Sequence, residues 1–117
     1  MLIADDNDLF ATALQGVLAA DDSIEVVGHA SDGEEAARFA AELRPDVVLM
    51  DLSMPRVDGF EATRQICSET PGTAVVVLTG SLDSDDEDRA REAGAAGYVT
   101  KDRILADLVK AIRSAAS

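Results

Sequence analysis

The sequence is short of cysteine, of basic residues and of long apolar runs, and each shortage excludes a class of protein. Cys67 is the only cysteine in 117 residues, so neither a disulfide framework nor a cysteine-based zinc site can form, and we expect a reducing compartment. The 10 basic and 23 acidic residues give a formal charge of −13, which repels nucleic-acid phosphates. No apolar run approaches the roughly 20 residues of a membrane span, and the first residues lack a signal-peptide pattern. We therefore expect a cytoplasmic protein that binds neither nucleic acid directly nor membranes.

Aromatic residues are also few, since tryptophan is absent and the aromatic side chains are Phe10, Phe39, Phe60 and Tyr98. The apolar content of 47% comes largely from Ala, Val and Leu, which suits helices packed on a small parallel sheet. A chain of this length can bury one hydrophobic core without disulfides or a structural metal. We predict a single domain over residues 1–117.

The clearest structural signal is the stretch Val47–Asp51. Its four consecutive apolar residues predict a strand buried on both faces, as in parallel sheets covered by helices. Pro55 and Gly59 in the segment that follows prevent the strand from continuing. Asp51 then lies at the carboxyl end of an interior strand, where open α/β sheets bind ligands, although an aspartate there is also a common turn cap.

Strand and helix patterns alternate along the whole chain and predict an α/β fold of five βα units. Right-handed crossovers favour a doubly wound, flavodoxin-like three-layer sandwich with the parallel strand order 2-1-3-4-5. His29 ends the second strand and is assigned no role, because a lone histidine is usually a surface or packing residue. The predicted strands are 2–4, 24–30, 47–51, 74–78 and 97–100, and the predicted helices are 8–20 (capped by Asp8), 31–43 (capped by Ser31 or Asp32), 59–68, 84–93 and 103–115.

Polar side chains follow four of these strands, and the predicted strand order brings them to one pocket: Asp5, Asp6, Asp51, Thr79 and Lys101. Carboxylates crowded in one cleft repel, so a proton or a cation must share the site. Oxygen ligands suit a hard divalent ion, and Mg²⁺ suits a pocket that offers only one or two direct carboxylates. An ammonium and a hydroxyl beside such an ion predict a phosphoryl ligand, which an aspartate can carry as an acyl phosphate.

The same motifs resemble the receiver domain of bacterial two-component response regulators over essentially the whole chain. They are the Asp5-Asp6 pair, Asp51 followed by Met54-Pro55 and Asp58-Gly59, Thr79-Gly80, and Tyr98 three residues before Lys101. The Lys101-Asp102 pair, the Ala4-Asp5-Asp6 start and the small Gly80 are similar to the subclass with a LuxR-type helix-turn-helix output domain. We expect either an excised receiver or a single-domain regulator.

The resemblance implies that Asp51 accepts a phosphoryl group from a phosphohistidine of a sensor histidine kinase. It also implies a Mg²⁺ ion held by Asp6, Asp51 and the backbone carbonyl of Ser53, with Asp5 contributing through water.

The resemblance further implies a switch in which the Thr79 hydroxyl moves toward the phosphoryl group and Lys101 pairs with it. Tyr98 would rotate inward as Thr79 moves, although a half-buried strand tyrosine also has a purely structural explanation. The expected result is a changed binding surface, possible homodimer formation, and an output that controls transcription.

Some features depart from the family pattern or suit another function. Lys101 precedes Asp102 where many members have proline after the lysine, so the isomer of that bond is open. A phosphatase with an aspartyl intermediate usually needs a second acid two residues after the nucleophile, where this chain has Ser53, so we expect no enzyme acting on an external substrate. A phosphate-independent interaction module is the alternative function, and flavin binding is an analogy of fold alone.

Overall fold

The computed structural model describes residues 1–22, 24–52, 59–80 and 84–116, and its elements alternate as the sequence predicts. The strands are β1 (Leu2–Ala4), β2 (Gly28–Ala30), β3 (Val47–Asp51), β4 (Ala74–Thr79) and β5 (Gly97–Thr100). The α-helices are α1 (Asp8–Ala19), α2 (Gly33–Leu43), α3 (Gly59–Glu69), α4 (Ser84–Glu92) and α5 (Ile104–Ala116), with a short 3₁₀ turn at Lys101–Arg103.

The five strands form one parallel sheet in the order β2-β1-β3-β4-β5, which confirms the predicted doubly wound topology. The register places Ala4 beside Met50 and Asp51 beside Leu78, so the strands end close together. Parallel strands present all their carboxyl ends at one edge of the sheet. The fold therefore collects the residues that follow β1, β3, β4 and β5 at that edge.

Helices cover both faces of the sheet, and each face has its own apolar cluster. Val48 and Met50 point to the cluster under α2 and α3, whereas Val47 and Leu49 point to the cluster under α1 and α5. Successive side chains of a strand point to opposite faces, so a strand between two helix layers must be apolar throughout. This explains why the interior strands are continuous apolar runs. Among the helices of the described ranges, none is long and apolar enough to cross a membrane.

The second strand is shorter than predicted, because it begins at Gly28 rather than Ile24. The strand beside it, β1, begins at Leu2. Two hydrogen bonds precede the ladder: the Val27 N–H donates to the Met1 carbonyl, and the Met1 ammonium donates to the Glu25 carbonyl. Among the described residues, the β1–β2 ladder begins where Leu2 lies beside Gly28, so residues 24–27 are not part of a strand.

Each helix differs from its predicted range by one or two residues at one end or both, and three differences at the helix ends have a structural cause. The cap of α1 is Asn7 rather than Asp8, and its side chain accepts a hydrogen bond from the Phe10 N–H. The α5 helix begins at Ile104 rather than Arg103, because the chain leaves β5 through the 3₁₀ turn. Helix α4 ends one residue early, before Gly94 at φ +105°, a left-handed conformation that glycine adopts without strain. The Asp32 cap of α2 is confirmed, since its side chain accepts from the Glu35 N–H.

Candidate functional site

The predicted site residues meet at the carboxyl edge of the sheet. Asp5 follows β1, Asp51 ends the adjacent β3, Thr79 ends β4, and Lys101 follows β5. Asp6 continues the turn from β1 toward α1. Because β1 and β3 are neighbours, the acids that end them lie side by side.

The three aspartates form a compact acidic cluster. One carboxylate oxygen from each of Asp5, Asp6 and Asp51 lies within 4.8 Å of the others. Asp5 and Asp51 are only 1% and 2% exposed, whereas Asp6 is exposed. The cluster therefore has a buried floor of two carboxylates and one acid at the solvent.

The burial of Asp5 is electrostatically costly. Burial, the largest cause, and the neighbouring charge of Asp51 together raise its pKa from an ordinary 3.8 to about 6, although a hydrogen bond from the Asn7 N–H and the charge of Lys101 act to lower it. The Asn7 N–H donates to Oδ1 of Asp5 at 2.8 Å, while Oδ2 is buried with no hydrogen-bond partner in the described part of the chain. An acceptor oxygen in this position is suited to a cation or a proton.

Lys101 offsets part of this negative charge. Its ammonium donates to Oδ2 of Asp51 at 2.9 Å and also lies 4.6 Å from the centroid of the Phe10 ring on α1. The lysine side chain is 31% exposed, so the ion pair connects a buried carboxylate with the surface. Phe10 gives the ammonium a second, non-ionic contact of the cation–π type.

Thr79 and Tyr98 lie on the same side of the sheet. Val77 is beside Tyr98 in the register, and Thr79, two residues after Val77 on β4, points to the same face. Thr79 is 3% exposed, and Tyr98 is half-buried against the apolar cluster under α2 and α3. This shared face would allow a movement of one side chain to affect the other.

Sequence reasoning missed two residues around the site, Asn7 and Phe10, and assigned no role to a third, His29. The capping pattern could have identified Asn7, because asparagine is a preferred cap and here it precedes the helix. No local signal points to Phe10 or His29, since their contacts with Lys101 and with the Asp5 carbonyl depend on how distant segments pack.

Two further points of the sequence analysis concern Ser53 and the bond between Lys101 and Asp102. Ser53, whose carbonyl was predicted as a metal ligand, lies outside the described residues, as do Met54, Pro55 and Asp58. The Lys101–Asp102 bond is trans, because no peptide bond among the described residues is cis.

The donor set fits a hard divalent cation. Its ligand atoms are all carboxylate oxygens, the type that Mg²⁺ prefers, and the buried Oδ2 of Asp5 adds an acceptor that a bound ion or its water could satisfy. Asp6 and Asp51 could offer direct ligands, and the Lys101 ammonium, on a side chain that is 31% exposed, lies against the Asp51 carboxylate. The arrangement is therefore suited to a metal ion at the acids and to an anionic group beside the Lys101 ammonium.

Comparison with known proteins agrees with this geometry. Residues 1–113 match the family model described as the response regulator receiver domain. The transcriptional regulatory protein LiaR of Bacillus subtilis is 45% identical over 98% of this chain and 54% of its own length. The response regulator GacA of Pseudomonas viridiflava is 46% identical over 97% of this chain and 53% of its own length.

Solved structures give the same result. The crystal structure of a LuxR-family two-component response regulator from Aurantimonas superposes with a TM-score of 0.93 at 35% identity, covering 98% of this chain and 82% of that one. The chain spans about half the length of the curated relatives that it matches.

Proposed function

We propose, from the premise that this chain belongs to the family of response regulator receiver domains, that it is a binding module controlled by phosphorylation of Asp51. The observation that carries the proposal is the buried Asp51 carboxylate, which lies beside two further acids and is bonded to the Lys101 ammonium at 2.9 Å. A structural turn cap would need neither the acids nor the cation. The proposed function is signal transduction in a two-component system.

The proposed chemical step transfers a phosphoryl group to the carboxylate. An oxygen of Asp51 attacks phosphorus, the P–N bond of a phosphohistidine donor breaks, and the leaving imidazole takes up a proton. The product is an acyl phosphate on Asp51 and a neutral histidine on the donor. The chain contributes positioning and charge compensation, which account for most of the catalysis in phosphoryl transfer.

Asp5, Asp6 and Asp51 would hold a Mg²⁺ ion, together with the carbonyl of Ser53. When bound, the ion neutralises negative charge on the phosphoryl oxygens and on the crowded carboxylates. Asp6 and Asp51 supply direct ligands, and the buried Asp5 contributes through water and fixes the turn that carries Asp6. Lys101 orients Asp51 before the transfer and pairs with the new phosphoryl group afterwards.

The signal would leave the site through Thr79 and Tyr98. The Thr79 hydroxyl would bond the phosphoryl group, and Tyr98 on the same face of the sheet would move toward the space that Thr79 vacates. Helix α4 is suited to respond, because Ala90 is its only buried side chain among those described, and weakly packed elements move at low cost. The face formed by α4, β5 and α5 would change its shape.

The proposed partners are a sensor histidine kinase as donor and a second copy of the chain after phosphorylation. The relatives named above are transcriptional or response regulators of about twice this length, so the proposed output is control of transcription through a domain outside this chain. The chain itself would act on no external substrate beyond its own phosphorylation and dephosphorylation.

The test is the intact mass after incubation with acetyl phosphate and Mg²⁺. We expect a gain of one phosphoryl group in the wild type and none in Asp51→Asn or in the presence of chelator. The matched control is Asp46→Asn, which removes an exposed acid just before the amino end of the same strand and should leave labelling unchanged.

Equal labelling of Asp51→Asn would contradict the proposal. Absence of labelling in a folded wild type, with acetyl phosphate and with a phosphohistidine donor, would favour the phosphate-independent interaction module instead.

A further inference from the structure

His29 contacts the turn that carries the acidic cluster. Its ring nitrogen Nε2 lies 2.7 Å from the backbone carbonyl oxygen of Asp5. A carbonyl can only accept, so Nε2 carries the hydrogen and donates it. The contact therefore fixes one tautomer of the imidazole when the ring is neutral.

The contact lies at the point where the β1–β2 ladder ends. The Asp5 N–H donates to the Ala30 carbonyl at 2.9 Å, and beyond Ala30 the chain leaves the strand and caps α2 with Asp32. No further residue of β2 is available to donate to the Asp5 carbonyl. The half-buried His29 side chain, on the edge strand β2, donates a hydrogen bond to this carbonyl instead.

The peptide that His29 holds joins two acids of the cluster. Three hydrogen bonds hold Asp5 in place. Its backbone N–H donates to the Ala30 carbonyl, its Oδ1 accepts from the Asn7 N–H, and its backbone carbonyl accepts from His29 Nε2. The carbonyl belongs to the peptide unit between Asp5 and Asp6, so its orientation sets the direction in which the chain continues to Asp6. Residues that orient metal ligands affect affinity without touching the metal.

We infer that His29 is a positioning residue, whose hydrogen bond to the Asp5 carbonyl holds Asp5 and Asp6 in place for binding a divalent cation. The inference rests on the proposed function, which requires Mg²⁺ at these acids. A bond of purely structural importance would lower the stability of the fold and leave the affinity for Mg²⁺ unchanged. The two roles are therefore separable by experiment.

The chain offers a matched control at the opposite end of the sheet. The Thr73 hydroxyl donates to the Pro45 carbonyl at 2.7 Å, which is also a bond from a side chain to a distant backbone carbonyl. Thr73 precedes β4 and Pro45 precedes β3, so this bond is remote from the acidic cluster. Thr73→Val removes it and nearly preserves the side-chain volume.

The experiment is a calorimetric Mg²⁺ titration of the wild type, His29→Leu, His29→Gln and Thr73→Val at one pH. We expect the dissociation constant to rise about two- to tenfold in His29→Leu, the range for loss of one hydrogen bond. His29→Gln should return toward the wild type, because its amide N–H can donate to the same carbonyl. Thr73→Val should bind Mg²⁺ as the wild type does.

Three results would overturn the inference: unchanged affinity in His29→Leu, no difference between His29→Gln and His29→Leu, or equal weakening in Thr73→Val. Failure of the wild type to bind Mg²⁺ would instead overturn the metal site of the proposed function, and this inference with it. In the wild type, nitrogen NMR should also show His29 as the Nε2–H tautomer, and the opposite tautomer would contradict the contact.

Discussion

Replacement of Asp5 by asparagine should stabilise the metal-free protein at neutral pH. Asp5 is 1% exposed, and its pKa is raised to about 6, mainly by burial and also by the neighbouring charge of Asp51. An ionised Asp5 therefore opposes folding. Asparagine has nearly the same shape, keeps an oxygen that can accept from the Asn7 N–H, and carries no charge.

The size of the effect follows from the pKa. The pKa of Asp5 is 3.8 in the unfolded chain and about 6 in the fold. At about 1.4 kcal/mol for each pKa unit, an ionised Asp5 lowers the free energy of unfolding by about 3 kcal/mol relative to a neutral one. Because the pKa in the fold is raised, the wild type has the full benefit of protonated Asp5 below pH 3.8 and loses it as the pH rises to about 6. The advantage of Asp5→Asn should therefore grow by about 2 kcal/mol between about pH 4.5 and about pH 7.5.

The assay is urea unfolding of both proteins at these two pH values with chelator present. Asp88→Asn, which removes an exposed acid on α4, is the control and should show no such growth. Added Mg²⁺ should stabilise the wild type more than Asp5→Asn. An advantage of Asp5→Asn that is the same at both pH values, or that falls as the pH rises, would refute the electrostatic reasoning.

Further substitutions, at Gly59, Gly16 and Phe10, test the packing and the contacts on which the account depends. Gly59→Ala should destabilise the fold by about 1–3 kcal/mol in urea unfolding, because its Cβ would lie 2.8 Å from Cδ2 and 2.9 Å from Cα of Leu52. Gly16→Ala in α1 should stabilise the fold by about 0.5–1 kcal/mol, because the new Cβ would have no atom within 4 Å apart from its chain neighbours and the nearby backbone of its own helix. A loss at Gly16 as large as at Gly59 would contradict the steric argument. Phe10→Leu should lower the phosphorylation rate from acetyl phosphate a few-fold by removing the ring 4.6 Å from the Lys101 ammonium, whereas Phe10→Tyr should keep it. Equal rates for both Phe10 variants would show that the ring face has no part in positioning Lys101.

The topology was predictable from the sequence, because the apolar strand runs and the helix patterns are each visible locally and repeat along the chain. The interior strands are apolar throughout, and their alternation with helices leaves few possible arrangements, so the strand order and the edge that collects Asp51 were predictable. The resemblance to receivers of the LuxR-type subclass is confirmed by the family match and by relatives that cover nearly the whole chain. The convergence of Asp5, Asp51 and Lys101 follows from the same topology.

The details that failed depend on contacts between distant segments. β2 was predicted from the apolar pattern of residues 24–27, but a strand also needs a partner, and pairing with β1 begins at Gly28. The contacts of Lys101 with Phe10 and of His29 with Asp5 join residues far apart in the chain, so no periodicity or spacing could indicate them. The functional roles of all the predicted site residues stay predictions: Asp5, Asp6, Asp51, Ser53, Thr79, Tyr98 and Lys101.

The most direct test of the central claim identifies the residue that carries the phosphoryl group. Wild-type protein treated with acetyl phosphate and Mg²⁺ would be reduced with borohydride, which converts an acyl phosphate of aspartate to homoserine and releases phosphate, and then digested and sequenced by mass spectrometry. We predict homoserine at position 51 and unmodified aspartate at positions 5 and 6. Homoserine at either of those positions, or none in protein that has gained a phosphoryl group, would contradict the account.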